Sequence, residues 1–308
     1  MTRRVALLFA VLWVISCGTA TAPAPASPTV AARASAGAFP ASITDFQNRS
    51  VAISKRPERI VSIGPSNTEF LFALGAGDRV VGTDDFSDEP AAAKTKDHVG
   101  GVKVNLEKVV SLKPDLIVTV KFSDGTIEAL SQLNAAVLVI DPQGAADVAR
   151  SATLIGQAVG ADGAKLARDI QAQLDAVKAK TDAAPKFKVF HEIDASDPAK
   201  IYTVGPTSFI DDLIKIAGGT NVFATAKTAY PTVSGEEIIR TDPDVIILGD
   251  ALYGTTIESI TSRPGWSTLS AVKNKRVYAG QSVFGRPGPR LGQAAEAYAK
   301  LVHPELFK

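Results

Sequence analysis

Two stretches of this chain, "EKVVSLKPDLIV" at 107–118 and "EEIIRTDPDVII" at 236–247, follow one pattern. Glu107 falls on Glu236, Val109-Val110 on Ile238-Ile239, Pro114-Asp115 on Pro243-Asp244, and Leu116-Ile117-Val118 on Val245-Ile246-Ile247. Each reads as a helix, a Pro-Asp stop and a β-branched strand, since proline ends a helix and a short β-branched run favours extended chain. A second pair, "RIVSIGPSNTEF" at 59–70 and "KIYTVGPTSFID" at 200–211, occurs in the same order and reads as strand, Gly-Pro, helix. Convergence on a common α/β unit accounts for either pair alone and much less well for both in order. The chain therefore reads as a diverged duplication, with one α/β lobe over 43–160 and another over 185–308.

In the first lobe, apolar strands at Ile60–Ile63, Val80-Val81, Leu116–Val120 and Val137–Ile140 alternate with helical patterns near 66–74, 105–112, 126–134 and 145–158. Such alternation predicts parallel, doubly wound sheets, whose ligands collect at the carboxyl ends of the strands. Gly64-Pro65-Ser66 and Gly205-Pro206-Thr207 are expected there. Ser66 and Glu69 have the spacing of a capping box. Between the lobes, Gly160 can end one helix and Asp162 can cap another that runs to about Thr181, with Leu166, Ile170, Leu174 and Val177 along one face. About 20 residues make a rod of about 30 Å, assigned to 161–184. The fold expected is α/β: two doubly wound α/β lobes joined by one long interlobe helix, with a ligand cleft between them and limited hinge motion.

The start of the chain is of another kind. Thr2-Arg3-Arg4 is basic and Val5–Ile15 is an unbroken apolar run, too short to cross a hydrocarbon core of about 30 Å. Residues 1–16 read as an export signal. Residues 17–42 are dominated by Ala, Pro, Thr, Ser and Gly, too poor in large apolar groups to pack, and read as a tether. Cys17 is the sole cysteine, so no intrachain disulfide is expected. With 33 Lys plus Arg against 32 Asp plus Glu, the chain has no overall field to hold nucleic acid.

Several segments together resemble the extracytoplasmic solute-binding proteins of ABC importers for cobalamin, haem and ferric siderophores. They are "RPERIVSIGPSNTEFLFALGAGDRVVG", "VNLEKVVSLKPDLIV", "YTVGPTSFIDDLIKIAGGTNVF", "YPTVSGEEI", "GWSTLSAVKNKRVYA" and "RPGPRL", spread from about Ile43 to Phe307. "VISC" at 14–17 is similar to the lipobox of bacterial lipoproteins, which implies lipidation at Cys17. The resemblance implies a monomeric receptor tethered to a membrane by lipid, with no resident cofactor. It would deliver a ferric chelate, haem or cobalamin to an ABC permease dimer with its ATPase subunits; the alternative is a sensory or scavenging lipoprotein that docks no permease. In relatives of this kind a glutamate on each lobe pairs with permease arginines, which places Glu107 and Glu236 in that role. Carboxylates at equivalent points of two similar lobes suit a partner built of two similar halves, where rim charges steer docking. In the first turn of a helix each also favours the helix dipole.

Residues just past strand ends are the candidates for the cleft: Ser66, Asn67, Asp84, Asp85, Phe86, Lys121, Phe122, Thr207, Ser208, Tyr230, Tyr253, Phe284, Arg286 and Arg290. Aromatic faces suit planar ligands, and Lys121, Arg286 and Arg290 would suit an anionic chelate. Phe86, Gly101 and Val120 stand where the cobalamin binders carry tyrosine and tryptophans, which weighs against cobalamin, while Tyr230 keeps an aromatic. Tyr230, Tyr253 and His98 are the possible axial ligands for haem. His98, His191 and His303 have no metal-ligand spacing, so no bare metal site is expected. The absence of a glycine-flanked nucleophile or a phosphate loop argues against an enzyme.

Overall fold

The first lobe is a sheet whose central strand is buried on both faces. The computed structural model describes residues 38–308; the segment read as an export signal, Cys17 and the segment read as a tether up to residue 37 lie outside the described residues. In chain order the lobe comprises β1 (Ala41–Thr44), β2 (Ser50–Ile53), β3 (Ile60–Ile63), α1 (Pro65–Ala73), β4 (Val80–Thr83), β5 (Asp97–His98), α2 (Leu106–Ser111), β6 (Leu116–Thr119), α3 (Thr126–Ser131), β7 (Ala136–Val139) and α4 (Ala145–Val159). The strand order is β5-β4-β3-β6-β7, all parallel. β1 and β2 form a separate antiparallel hairpin, so Ala41 and Ser42, read from the sequence as the end of a tether, are strand residues. Asp45 holds the hairpin loop by accepting from Gln47 N, Arg49 N and the Arg49 guanidinium at 2.7–3.0 Å.

α4 ends at Gly160, whose φ of 74° is left-handed and suits glycine. Asp162 then caps α5 (Gly163–Thr181), accepting from Lys165 N at 2.9 Å. The second lobe follows as β8 (Phe187–Asp194), β9 (Ile201–Thr203), α6 (Phe209–Ile216), β10 (Gly219–Asn221), β11 (Thr232–Val233), α7 (Gly235–Thr241), β12 (Val245–Leu248), α8 (Ile257–Thr261), α9 (Ser270–Lys273), β13 (Val277–Ala279) and α10 (Leu291–Val302). β8 pairs in parallel with β10 and β12, and β12 with β13. β9 and β11 are antiparallel additions.

The second lobe thus keeps the expected parallel pairing at β10-β8-β12-β13 and adds two antiparallel strands to it. The same finding corrects the Gly-Pro match. β3 is the central parallel strand, but β9, its sequence counterpart, is the return arm of a hairpin with β8. The strand with the pairing role of β3 is β8. The Pro-Asp match holds in space: α2 leads into β6 beside β3, and α7 leads into β12 beside β8.

Alternate residues of the strands face different layers. Leu116 and Val118 join a core with α1, α4, α5, α6 and α10, to which Val245 and Ile247 also belong. Ile117 packs with Val109 of α2 and Leu130 of α3, while Ile246 and Leu248 pack with Ile238 of α7 and with Trp266. Fully burying one such aliphatic side chain stabilises the fold by about 1.5–3 kcal/mol. Because one helical layer is shared by both sheets, the lobes form a single body around it.

Candidate functional site

The floor of the cleft in the first lobe grows from the end of β3. Gly64 has φ 108°, and a Cβ there would lie 2.5 Å from Val120 Cγ1, so both the turn and the close approach require glycine. The Gly64 N–H donates to Asp84 Oδ2 at 2.6 Å. Asp84 also accepts from Ser87 Oγ and Phe86 N at 2.8 Å each. Asp84 is buried and serves to fix the Phe86 loop against the Gly64 turn.

These turns enclose a cavity of about 460 Å³ lined chiefly by Pro65, Phe86, Gly101, Val120, Lys121 and Phe122. Phe86 is 53 % exposed, and its ring lies over Gly101, where a Cβ would be 3.2 Å from Phe86 Cζ. Gly101 is thus the place at which the Phe86 ring can lie flat. Phe86, Gly101 and Val120 therefore line one cavity, with Phe122 half-buried beside them. Lys121 is exposed at its edge. Asp85 is exposed, with Oδ1 3.4 Å from His98 Nδ1.

The remaining candidates lie on turns of the second lobe. The Gly205 N–H donates to Ala229 O at 2.8 Å, and a Cβ on Gly205 would lie 2.1 Å from Thr228 O. Only glycine lets the loop carrying Tyr230 lie so close. Tyr230 is 43 % exposed, and its phenol is pushed above its ordinary range by burial and then by the Asp141 carboxylate, which follows β7 in the other lobe. Thr207 is exposed with φ 69°. Leu252 and Tyr253 (89 % exposed) occupy the turn after β12. That turn is anchored through Asp250, which accepts from Thr255 Oγ1 at 2.8 Å, and lies near the buried Glu192–Arg263 pair.

Five sequence candidates have other work in the structure. Asn67 is buried and donates to Ile63 O at 2.9 Å. Ser208 is buried as the cap of α6, accepting from Asp211 N at 3.1 Å and donating to Gly205 O. Phe284 is 1 % exposed and packs on Tyr298 with ring centroids 5.1 Å apart. Arg286 and Arg290 are neutralised: Arg290 meets Glu69 through Nε at 2.8 Å and Nη2 at 2.7 Å, and Arg286 Nη1 meets Asp88 at 2.6 Å and Glu69 at 3.2 Å. These ion pairs also replace the expected Ser66–Glu69 box, since α1 is capped by Gly64 without a side-chain bond. Ser66 remains half-buried at the floor's edge.

Sequence reasoning missed Leu252, Val102 and Asp141. Val102 is an exposed valine inside the cavity wall. Their signal, an apolar or acidic residue just past a strand, is shared with too many loops to single them out. Glu107 and Glu236 are both exposed in the first turns of α2 and α7. In a β-α-β crossover the helix starts at the carboxyl edge of the sheet, so both carboxylates stand at the rim of the cleft end. Among the described residues no helix is long and apolar enough to cross a membrane, and no three His, Cys, Asp or Glu side chains are grouped to hold a metal.

Comparison with known proteins places this geometry. The periplasmic binding protein family matches residues 60–283. The chain is 35% identical to the uncharacterized ABC transporter substrate-binding lipoprotein YvrC of Bacillus subtilis over 98% of this chain and 97% of that one. It is 30% identical to a cobalamin-binding protein of Halobacterium salinarum, covering 96% and 84% of the two chains. A possible iron-binding, periplasmic solute-binding protein of Staphylococcus epidermidis superposes with a TM-score of 0.69 at 28% identity, over 81% of this chain and all of that one.

Proposed function

The chain belongs to the periplasmic binding protein family, and from the cleft it carries we propose that its ligand is a metal macrocycle of the corrinoid class. It is the substrate-binding protein of an ABC importer and works outside the cytoplasm. In this reading Cys17 carries the lipid, the tether holds the body near the membrane, and the cleft delivers its ligand to a permease dimer. Glu107 and Glu236 dock on permease arginines.

The observation that carries the ligand class is the charge of the cleft. Its floor is apolar and aromatic, through Pro65, Phe86, Val120 and Phe122. Arg286 and Arg290, the groups that would have held an anionic ferric chelate or haem propionates, are already paired with Glu69 and Asp88. Lys121 and Asp124, of opposite charge, both line the same cavity. The replacements at Phe86, Gly101 and Val120 weigh against the contacts of the cobalamin binders, but a flat, weakly charged ring with amide edges still suits such walls better than a polyanion, whose charge would go uncompensated. The relative in Halobacterium salinarum, named for cobalamin, supports this class.

The test is titration of the full chain with cyanocobalamin, haemin, a ferric catecholate and a ferric hydroxamate, read by the visible absorption of each. Saturable one-to-one binding of cyanocobalamin, with the anionic chelates weaker, is expected. Tight binding of the catecholate with none of the corrinoid would overturn the ligand class and leave the importer reading in place.

A further inference from the structure

Glu69 stands one turn inside α1, the helix whose first residues Pro65 and Ser66 edge the cleft floor. It is 5 % exposed, and its partners come from the other lobe. Arg290 grips it with Nε on Oε2 at 2.8 Å and Nη2 on Oε1 at 2.7 Å, and Arg286 adds Nη1 on Oε1 at 3.2 Å. Asp88, beside the Phe86 loop, takes the same Nη1 at 2.6 Å. The two arginines bracket Pro287-Gly288-Pro289, a strap whose prolines restrict φ. Gly288 rests on Ser66, where a Cβ would lie 3.6 Å from Ser66 Cα.

A buried carboxylate between guanidinium groups is a weak source of stability, because desolvation offsets most of the attraction. What a two-pronged Arg–carboxylate pair supplies is orientation. Here it ties α1, at the ligand floor, to the start of α10, which packs on α5 and α6. α5 is the single covalent link between the lobes, and the apolar layer they share, being non-directional, holds them together without fixing their angle about its axis. A second tie away from that axis removes the freedom. Another polar crossing, Ala145 N donating to Asp212 Oδ2 at 2.8 Å, is one bond at the start of α4 and lacks the paired geometry.

We propose that Glu69 is a positioning residue, which sets the opening of the cleft by clasping Arg286 and Arg290 across the lobes. Its bearing on binding rests on the cleft being the ligand site, but the clasp itself is measurable without ligand. The experiment uses the full chain carrying Cys17→Ser, with spin labels on cysteines placed at Glu128 of α3 and Lys273 of α9, both exposed. Double electron–electron resonance then reads the distance between lobes, and thermal unfolding is followed in parallel.

Glu69→Gln is expected to broaden the distance distribution and shift it to longer values in the absence of ligand. A side chain that only stabilised the fold would lower Tm and leave the distribution of the folded protein unchanged; that result overturns the proposal. If Glu69→Gln does not fold, the paired variant Arg286→Gln, Arg290→Gln decides by the same criterion. A failure of every chelate to bind leaves this measurement unaffected, and an idle clasp leaves the importer reading unaffected.

Discussion

Asp115 and Asp244 make the same contact in the two lobes. Asp115 accepts from Glu58 N and Arg59 N at 2.9 Å each, at the start of β3, and its own N–H donates to Arg59 O at 2.9 Å. Asp244 accepts from Lys188 N at 2.8 Å, at the start of β8, and donates to Lys188 O at 2.8 Å. The residue two places earlier is left-handed in both, Lys113 with φ 46° and Asp242 with φ 44°. The Pro-Asp pairs thus pin each incoming strand to the central strand of its lobe.

Asp115→Ala or Asp244→Ala is expected to destabilise the protein by about 1.5–3 kcal/mol, the usual worth of hydrogen bonds to a charged acceptor. Ligand affinity should stay the same, because both contacts lie at the end of the sheet away from the cleft. Urea unfolding of each variant beside the parent measures the loss, and a change below about 0.5 kcal/mol would remove the clamp from the account.

That clamp is also why much of the fold was legible in the sequence. Proline and aspartate at fixed distance from a β-branched run report a local event, the end of a helix and the pinning of a strand, and local events leave local signals. The Gly-Pro match misled because it reports only that a strand ends in a turn, and both a central strand and a hairpin arm do so. In the site, Phe86 could be nominated as an aromatic close past a strand end, and Tyr230 as an aromatic in the loop just ahead of β11. The pairing of Arg286 and Arg290 was not legible, since their partner, Glu69, lies over two hundred positions away. No spacing rule connects them, and only the folding of the 286–290 strap onto α1 brings them together.

Phe86→Ala and Tyr230→Ala should each weaken binding of the corrinoid about tenfold, equal to about 1.4 kcal/mol, with little effect on stability, since both rings are substantially exposed. Phe284→Ala serves as the contrast. It empties a space in the core and is expected to cost about 3–5 kcal/mol of stability, while the protein that remains folded binds normally. Calorimetric titration and thermal unfolding of the three variants separate the two behaviours. Equal affinity in Phe86→Ala and the parent would move the ligand off this floor.

Exchanging both rim carboxylates, Glu107→Arg with Glu236→Arg, should leave ligand affinity intact and lower uptake in cells by more than about tenfold, since like charges at a docking rim oppose association. Each substitution lies on an exposed first turn, where loss of the favourable helix-dipole term is worth only about 0.3–1 kcal/mol. Uptake at the parental rate would rule out these two residues as the docking points.

The pH dependence of stability follows from two neighbours on β8 with opposite signs. His191 is buried, stacks on Tyr298 and places Nδ1 3.0 Å from the Tyr298 hydroxyl, and burial lowers its pKa from 6.5 to about 4. The unfolded chain takes up a proton that the folded protein refuses, so this contribution is complete above pH 6.5 and is lost as pH falls through about 4. A separation of that size corresponds to about 3 kcal/mol. Glu192 runs the other way: desolvation foremost, and secondarily the Asp250 carboxyl, raise its pKa against the pull of Arg263. Its contribution is present below the ordinary carboxylate range and declines as pH rises through the raised value. His191→Gln should therefore flatten the fall in stability between pH 6.5 and 4.5, and Glu192→Gln should steepen it. Denaturant unfolding at a series of pH values gives both slopes; parallel curves for the parent and His191→Gln would show that the imidazole is not what titrates.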